Sequence, residues 1–321
     1  MTETTKTIFE KYEVRKSKKQ KSAFIDYVDT VSRECGYEAR VEKGYLGSRN
    51  IVVGDPQSAK VVYTAHYDTC AVLPMPNFIT PKNIFIYILY QILLVFVIML
   101  LPVFLVSFLS ALLLTLVGVN SDIAAMIAML LGYATLILSI VLMMVGPANK
   151  HTANDNTSGV TLLLDIMRAL PAESKKSAAF IFFDLEEAGL FGSAGYASKH
   201  KSEMKDKLLI NFDCVSDGEN MIFVLKKGAQ KYKNAIAEAF PDSDDVHAQH
   251  LTSGVVYPSD QANFPCGVGV AALKRSKRLG ILYMNRIHTR RDTVYREENI
   301  AYLTSGAVRL SESFSELCEK N

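Results

Sequence analysis

The chain has 321 residues with 35 Lys plus Arg and 33 Asp plus Glu, so its formal net charge is only +2. This near-neutral balance argues against nucleic acid as a partner. Residues 84–146 contain a single charged side chain, Asp122. That pattern excludes a purely soluble protein, because water-exposed segments of such length carry many charges. The five cysteines are too few for a disulfide scaffold.

The N-terminal segment is polar and contains no apolar core of the kind that a secretion signal needs. Residues 15–21 hold five cations, which indicate either the solvated start of a helix or a contact with anionic lipid on the cytoplasmic leaflet. Residues 20–34 have the pattern of an amphipathic helix. The irregular spacing and odd number of cysteines suit a reducing compartment, so we expect free thiols at Cys35, Cys70, Cys214, Cys266 and Cys318.

Two apolar blocks follow a short strand-like run at residues 60–66. The block at 123–145 rises about 34 Å as a helix, which is enough to cross a hydrocarbon core of about 30 Å. The block at 84–119 would rise about 54 Å, and Pro102 is expected to kink or break it. We therefore predict a transmembrane helical hairpin inserted over residues 84–146; the alternative is a buried hairpin inside a soluble core.

The charges around the hairpin predict its orientation. The loop at residues 120–122 carries no cation, whereas Lys82 and Lys150 flank the outer ends of the two blocks. By the positive-inside rule the loop is outside and both long flanks are cytoplasmic. Flanks that form one domain must also share one side of the membrane, so the number of full spans is even. We predict an integral membrane protein that contacts the lipid bilayer, with its folded domain on the cytoplasmic side.

The remainder of the chain alternates between strand-like and helix-like segments. This alternation predicts the α/β class, as a single mixed-sheet domain with helices on both faces. The domain is expected to be discontinuous, with residues 1–83 and 147–321 on either side of the inserted hairpin. The predicted strands are 178–183, 208–215 and 268–274, and the predicted helices are 158–170 and 297–318.

Acidic and His residues recur at the ends of these segments. His66 and Asp68 are two apart in an extended chain and point the same way, so Asp68 can orient a metal-ligating nitrogen of His66. Asp155 lies in a polar turn before a predicted helix, where the plain interpretation is an N-cap. Carboxylates at the carboxyl ends of strands stand where open α/β sheets place their sites. Such positions are Glu186, Glu187 and Asp213, and His288 follows in a later loop.

In chain order, H-Y-D, A-N-D-N-T-S-G, E-E, N-F-D and I-H-T-x-x-D-T resemble the motifs of the di-zinc aminopeptidase family, metallopeptidase family twenty-eight. That family includes leucyl-type aminopeptidases, glutamate carboxypeptidases and, more distantly, glutaminyl cyclases. The resemblance covers roughly residues 20–83 and 147–318. It implies a zinc aminopeptidase-like fold and two Zn²⁺ ions per chain.

The resemblance also assigns the ligands. It implies that His66 and Asp213 bind one zinc, that Glu187 and His288 bind the other, and that Asp155 bridges the pair. Three carboxylates and two imidazoles are a donor set that suits Zn²⁺ without any thiolate.

Further roles follow from the same resemblance. Glu186 matches the general base, which takes a proton from the metal-activated water and passes it to the leaving amine. Asp68 matches the partner of His66, and Asp292 is expected to serve His288 similarly. Residues 257–264 resemble the S-D-H-x-x-F segment with Gln261 in place of His. There Tyr257 is expected to stabilise an oxyanion and Asp260 to hold the substrate; the alternative is a packed loop.

The sequence thus predicts a membrane-embedded di-zinc metallohydrolase, in first place an aminopeptidase, acting on a peptide or an amphiphilic amide. The alternatives are a zinc amidase or cyclase acting on lipidic or N-acylated amino acids, and a non-catalytic scaffold of the same fold. Homo-oligomers are left open. Ten residues separate Val145 from Asp155, at most about 34 Å of extended chain. The site is therefore expected to open beside the membrane, where amphiphilic substrates enter laterally.

Overall fold

The structure is a computed structural model that describes residues 1–319, with the side chains of residues 316–319 outside that description. Within these residues the strands are β1 (Ala39–Lys43), β2 (Arg49–Val53), β3 (Val61–His66), β4 (Ala178–Phe183), β5 (Leu208–Phe212), β6 (Asn220–Leu225), β7 (His247–Leu251), β8 (Gly267–Arg275) and β9 (Leu282–Tyr283). They form one mixed sheet in the order β1-β2-β4-β3-β5-β8-β6-β7, with β9 paired to β8.

Strands β4, β3, β5 and β8 are parallel and occupy the middle of the sheet. On the two sides, β2 joins β4 and β6 joins β8 in antiparallel pairs. Continuous apolar runs become these central strands because both of their faces are covered. The four strands predicted from the sequence are all present. The one predicted over 208–215 ends at Phe212, since the backbone turns at Cys214, whose φ is 57°.

Helices cover both faces of the sheet, as predicted. One face packs against α2, α6 and α9, with Tyr63 and Phe180 completely buried between the layers. The other face is covered by α7, whose Tyr196 packs on Phe183 and Phe264. The α-helices within the described residues are α1 (Glu3–Thr7), α2 (Lys18–Glu34), α3 (Ile84–Val95), α4 (Leu101–Leu116), α5 (Ser121–Val145), α6 (Ser158–Ala169), α7 (Phe191–Lys199), α8 (Lys233–Ala239) and α9 (Glu297–Glu319).

Helices α3, α4 and α5 form an apolar hairpin between β3 and α6. Helices α3 and α4 are one continuous helix of 33 residues, joined by a π-helical turn at Phe96–Leu100. Pro102 lies in the first turn of α4, directly after this π turn, so the proline does not break the helix. Both arms of the hairpin are long and apolar enough to cross a membrane.

Small residues hold the two arms together. The buried residues of α5 recur at every fourth position and are Ala124, Ala128 and Gly132. A Cβ placed at Gly132 would lie 2.4 Å from Ser107 Oγ on α4. This close approach of two backbones through small residues is typical of helix pairs in membranes. Most large apolar side chains of the hairpin are exposed, as expected for a surface that faces lipid.

Hydrogen bonds connect both the start of α3 and the end of α5 to the α/β domain. Tyr90 donates its hydroxyl hydrogen to the Pro76 carbonyl oxygen at 2.7 Å. At the other end, Lys16 Nζ donates to the Met144 carbonyl oxygen at 3.0 Å. The 33-residue arm rises about 50 Å, more than a hydrocarbon core of about 30 Å needs. The hydrogen bonds of Tyr90 with Pro76 and of Gln91 with Asn77 place the first turns of α3 beside the domain.

The described cysteines match the sequence interpretation. Cys35, Cys70, Cys214 and Cys266 are buried free thiols. The side chain of Cys318 lies outside the described residues.

Candidate metal centre

The predicted site residues stand at the carboxyl ends of the parallel strands. His66 is the last residue of β3, Asp213 follows the last residue of β5, and Glu186 and Glu187 lie in the turn after β4. Strand β3 lies between β4 and β5, so these three strand ends are neighbours. Parallel strands bring their carboxyl ends to one edge, where open α/β sheets hold their ligands.

Asp155 arrives from the turn that precedes α6, and Asn156 fixes this turn to the sheet. Asn156 Nδ2 donates to the Phe212 carbonyl oxygen at 3.0 Å and to the His66 carbonyl oxygen at 3.4 Å. Its Oδ1 accepts from the Gly159 amide at 3.0 Å. A Cβ at Gly159 would lie 2.5 Å from Asn156 Oδ1 and 2.5 Å from the Phe212 oxygen, so this approach requires glycine. The turn thus places a carboxylate between β3 and β5.

Five side chains meet in one cluster at this edge. His66 Nε2 lies 3.2 Å from Asp155 Oδ1 and 3.4 Å from Asp213 Oδ1. His288 Nε2 lies 3.1 Å from Asp155 Oδ2 and 3.3 Å from Glu187 Oε2. The two carboxylate oxygens of Asp155 therefore face two different imidazoles, and each imidazole has a second carboxylate beside it.

The donor set and its spacing fit zinc. Zn–N and Zn–O bonds are about 2.0–2.2 Å in a tetrahedral site, which puts two ligand atoms of one ion about 3.3–3.6 Å apart. The four distances above, from 3.1 to 3.4 Å, lie at or near this range. Glu187 Oε1 is buried and receives no hydrogen bond within the described chain. An unpaired buried oxygen is expected where a carboxylate faces a cation.

The charges of the cluster also indicate a cation. Burial alone would lower the pKa of His288, but the carboxylates of Glu187 and Asp155 outweigh it and raise that pKa to about 9. Burial raises the pKa of Glu187 to about 8; the charge of His288 opposes this shift, and that of Asp155 adds to it. These groups bind metals in their deprotonated forms, so a divalent cation would take the place of the protons.

Asp68 supports two parts of the site. His66 Nδ1 lies 3.2 Å from the carbonyl oxygen of Asp68 and 3.6 Å from its Oδ1. The Asp68 carboxylate accepts hydrogen bonds from the amide of Glu186 at 3.1 Å and from that of Glu187 at 3.3 Å. Asp68 therefore faces the His66 ring, as the sequence predicts. It also fixes the turn that carries both glutamates, which the sequence does not reveal.

The Glu186 carboxylate lies next to the cluster, within 4.8 Å of donor atoms on His66 and Glu187. Burial raises its pKa well above the usual value; the charge of His66 opposes this shift, and that of Asp213 adds to it. A carboxylate with a raised pKa beside a metal-activated water is suited to accept a proton near neutral pH.

Asp292 lies near enough to His288 for its charge to raise the pKa of that imidazole, but its hydrogen bonds go to another part of the site. Its two carboxylate oxygens accept hydrogen bonds from the backbone amides of Asn154 and Asp155, each at 2.9 Å. It forms no ion pair with His288 within the described chain. The Asp292 amide donates to the Thr289 carbonyl oxygen at 3.2 Å, and from this turn the carboxylate reaches the backbone before α6. Asp292 therefore holds the backbone of Asp155 in place.

The segment that contains Tyr257 and Asp260 packs under the cluster. Tyr257 is buried and donates its hydroxyl hydrogen to the Asp213 carbonyl oxygen at 2.9 Å. Asp260 is fully buried, neither of its carboxylate oxygens receives a hydrogen bond within the described chain, and burial raises its pKa to about 7. Gln261 Nε2 donates to the Tyr257 carbonyl oxygen at 2.7 Å, so this residue stabilises the loop.

Two cations near the site have roles that the sequence does not predict. Arg15 is fully buried, and its Nε donates to the Tyr67 carbonyl oxygen at 2.6 Å. Lys21 forms a buried ion pair with Asp184, at the start of the turn after β4. The basic run at residues 15–21 is therefore partly internal and is not simply a solvated helix start or a lipid contact. The sequence contained one indication that cations such as these would be buried: several carboxylates were predicted at the site, and buried carboxylates require cations nearby.

Comparison with known proteins agrees with this geometry. A family model described as peptidase family M28 matches residues 140–310. The LapA aminopeptidase of Legionella pneumophila is similar in structure, with a TM-score of 0.55 and 12% identity over 97% of this chain and 70% of that one. Glutaminyl cyclase of Porphyromonas gingivalis has a TM-score of 0.56 and 14% identity over 97% of both chains. A Zn-dependent exopeptidase from Parabacteroides distasonis has a TM-score of 0.50 and 15% identity over 96% of this chain and 97% of that one.

At these identities the structural likeness establishes the fold, while the family match extends over more than half of the chain. The match includes Asp155, Glu187, Asp213 and His288, and His66 completes the cluster from outside the matched residues. Zinc-dependent exopeptidases occur among the similar structures. The chain belongs to peptidase family M28 and is a metallopeptidase-type hydrolase whose family metal is zinc.

Proposed function

We propose that the chain is a membrane-embedded aminopeptidase that uses two zinc ions to hydrolyse amide bonds. The observation that carries this proposal is the position of Asp155. Its two oxygens face His66 and His288 at 3.2 and 3.1 Å. A bridging carboxylate is what a pair of metals about 3.5–4 Å apart needs. Asp213 and Glu187 then complete the two ligand sets.

The side chains of the site have separate roles in the proposed hydrolysis. Zinc held by these five side chains would supply a Lewis acid that polarises the amide carbonyl and lowers the pKa of bound water toward neutrality. Glu186 takes the proton from the attacking water and returns it to the leaving amine. Asp68 holds the Glu186 amide and faces the His66 ring, so it positions a base and a ligand together. Asp260, predicted to hold the substrate, is fully buried under the cluster, so a substrate contact would require its unpaired carboxylate to face the site.

The membrane part of the proposal rests on the hairpin. Its two arms are long and apolar, most of their large side chains are exposed, and Asp122 is the only charge within residues 84–146. Lys82 and Lys150 stand at the outer ends, which supports a cytoplasmic position for the catalytic domain. The substrates would be peptides or amphiphilic amides at the cytoplasmic face of a bilayer.

A second candidate is a cyclase-like or amidase activity on lipidic or N-acylated amino acids. It is favoured by the similarity to the glutaminyl cyclase of Porphyromonas gingivalis, which spans 97% of both chains. The complete set of five donors in this chain favours two metals and hydrolysis. The same complete set argues against a non-catalytic scaffold, because a scaffold has no need of it.

The test is metal analysis and substrate profiling of the full chain purified in detergent. Wild type should contain two zinc ions and should cleave amides with a free α-amino group, and Asp155→Ala should lose activity and zinc together. Asp165→Ala is a matched control, since Asp165 lies on α6 and outside the cluster. Two zinc ions per chain in Asp155→Ala would refute the bridging role. Activity restricted to N-acylated or cyclising substrates would favour the second candidate.

A further inference from the structure

A cavity of about 500 Å³ lies between the hairpin and the metal centre. Its lining includes Asp68 and the proposed zinc ligand Glu187. It also includes Met144, Val145 and Gly146, where α5 leaves the apolar hairpin. Small-molecule sites in proteins have volumes of about 300–1,000 Å³. A molecule of ordinary ligand size in this cavity would therefore contact the end of the hairpin and the cluster at once.

Most of the surface of the cavity wall is apolar, although Ser17, Gln20 and Thr69 also line it. Two lysines also line it, but both ammonium groups are already engaged. Lys21 is paired with Asp184, and Lys16 Nζ donates to the Met144 and Thr69 carbonyl oxygens at 3.0 and 3.4 Å. The apolar surface that a ligand could contact comes from Leu46, Met144, Val145, Ala148, Leu185 and Ala188.

The rim of the cavity continues the apolar surface of the hairpin. Leu46 is 72% exposed and Val145 is 71% exposed, and both line the cavity. Leu46 has a φ of 51°, in the left-handed region that favours glycine, and its neighbour Tyr45 is 50% exposed. A leucine in that conformation with its side chain in water gains nothing from packing within the domain. Against a bilayer the same side chain would be buried, and tyrosine is common at the lipid surface.

We propose that this cavity takes the aliphatic chain of an amphiphilic amide, which enters from the bilayer between Leu46 and Val145 and places its amide at the metal centre. This inference rests on the proposed aminopeptidase function and specifies its substrate class. The chain is carried by the leaving amine, because an aminopeptidase substrate keeps its free amino group on the acyl side. Lys16 donates hydrogen bonds to Met144 at the end of α5 and to Thr69 just after β3, so it fixes the distance between these two parts of the cavity wall.

The test is a series of leucyl alkylamides, from propyl to octyl, hydrolysed by the full chain in lipid nanodiscs. Full burial of a methylene corresponds to about a fourfold gain in affinity, and an open cavity should give about twofold. Wild-type kcat/KM should therefore rise by about 30-fold over the five added methylenes. Partitioning of each substrate into the nanodisc is equal for all variants, so the comparison of variants isolates the cavity.

Two variants alter the cavity in different ways. Ala148→Phe fills the cavity and should abolish the rise of kcat/KM with chain length. Leu46→Ser removes part of the rim and should make that rise smaller. Leu279→Ser is the matched control, because Leu279 is 71% exposed in the turn between β8 and β9 and does not line the cavity. It should keep the wild-type dependence. Zinc content and the ratio of octyl to propyl kcat/KM are recorded for each variant, so misfolding is separated from altered specificity.

The outcomes separate the two proposals. If Ala148→Phe and Leu46→Ser bind zinc and keep the wild-type octyl-to-propyl ratio, the cavity does not hold the chain and this inference is wrong. If the zinc-loaded wild type cleaves none of the leucyl amides, the aminopeptidase function is wrong. Binding of a dansyl-labelled leucyl octylamide, measured by fluorescence anisotropy, then still tests the cavity. Equal affinity for wild type and Ala148→Phe would overturn it, and a loss of about tenfold or more in Ala148→Phe would support it.

Discussion

Replacing Lys21 by methionine should destabilise the domain, because it leaves a buried carboxylate without its cation. Lys21 pairs with Asp184, and both side chains are more than nine-tenths buried. Breaking such a pair costs about 3–5 kcal/mol. Asp184 Oδ2 also accepts from the Arg49 amide at 2.9 Å, and Oδ1 accepts from the Leu185 amide at 3.0 Å. These two donors remain in the variant, so we expect the lower part of the range, about 3 kcal/mol.

The assay is thermal unfolding of the full chain in detergent, with zinc present throughout. For a domain of this size about 3 kcal/mol corresponds to a fall in Tm of roughly 6–12 °C. Activity should fall as well, since Asp184 begins the turn that carries Glu186 and Glu187. The double variant Lys21→Met with Asp184→Asn removes both charges, so it should recover most of the lost Tm.

Lys18→Met is the matched control, because Lys18 is exposed three residues earlier in the same helix. It should leave Tm unchanged within about 1–2 °C, as surface substitutions do. If Lys21→Met unfolds at the wild-type temperature, the pair does not stabilise the domain. A double variant less stable than Lys21→Met would show that the cost does not come from an unpaired carboxylate.

Three further predictions test other parts of the molecule. Glu186→Gln keeps the size of the side chain but removes its basicity, so turnover should fall by about 10² to 10⁴ with the zinc content unchanged; near-normal turnover would assign the base elsewhere. Gly132→Leu should separate the arms of the hairpin, because even a Cβ at Gly132 lies 2.4 Å from Ser107 Oγ; an unchanged Tm in detergent would contradict this packing. Burial raises the pKa of Asp165 to about 6, so the folded state prefers its protonated form and loses stability as the pH rises from about 4 to 6. The Tm of Asp165→Asn should therefore exceed that of wild type above pH 6 and converge with it near pH 4, and a constant difference across this range would exclude the effect.

Much of the fold follows from local pattern. The runs at Val61–His66 and Ala178–Phe183 are apolar on both faces, and such runs form strands only in the middle of a covered sheet. Strands β1, β2, β6, β7 and β9 were not predicted from the sequence. Of these, β1 and β7 are short and partly exposed and lack a continuous apolar run. Their place at the two edges of the sheet is decided by pairing with β2 and β6.

The sequence by itself determined which side chains could form the site. Asp, Glu and His stand where buried strands end, and parallel strands bring those ends together, so position made His66, Glu187 and Asp213 candidates, and the resemblance to the zinc aminopeptidase family assigned them as ligands. The apolar hairpin was equally evident, since residues 84–146 carry one charge and two apolar runs long enough to cross a membrane as helices.

Only the tertiary structure decided how the site is supported and which residues line the cavity beside it. Asp292 binds the backbone of Asp155, and Lys21 is buried against Asp184, although nothing in either local sequence distinguishes these side chains from solvated ones. The cavity between Val145 and Glu187 likewise joins residues that are forty-two positions apart. Secondary structure depends on neighbours in the chain, which a pattern records. Charge pairing and cavity shape depend on neighbours in space, which become known only when the elements are packed together.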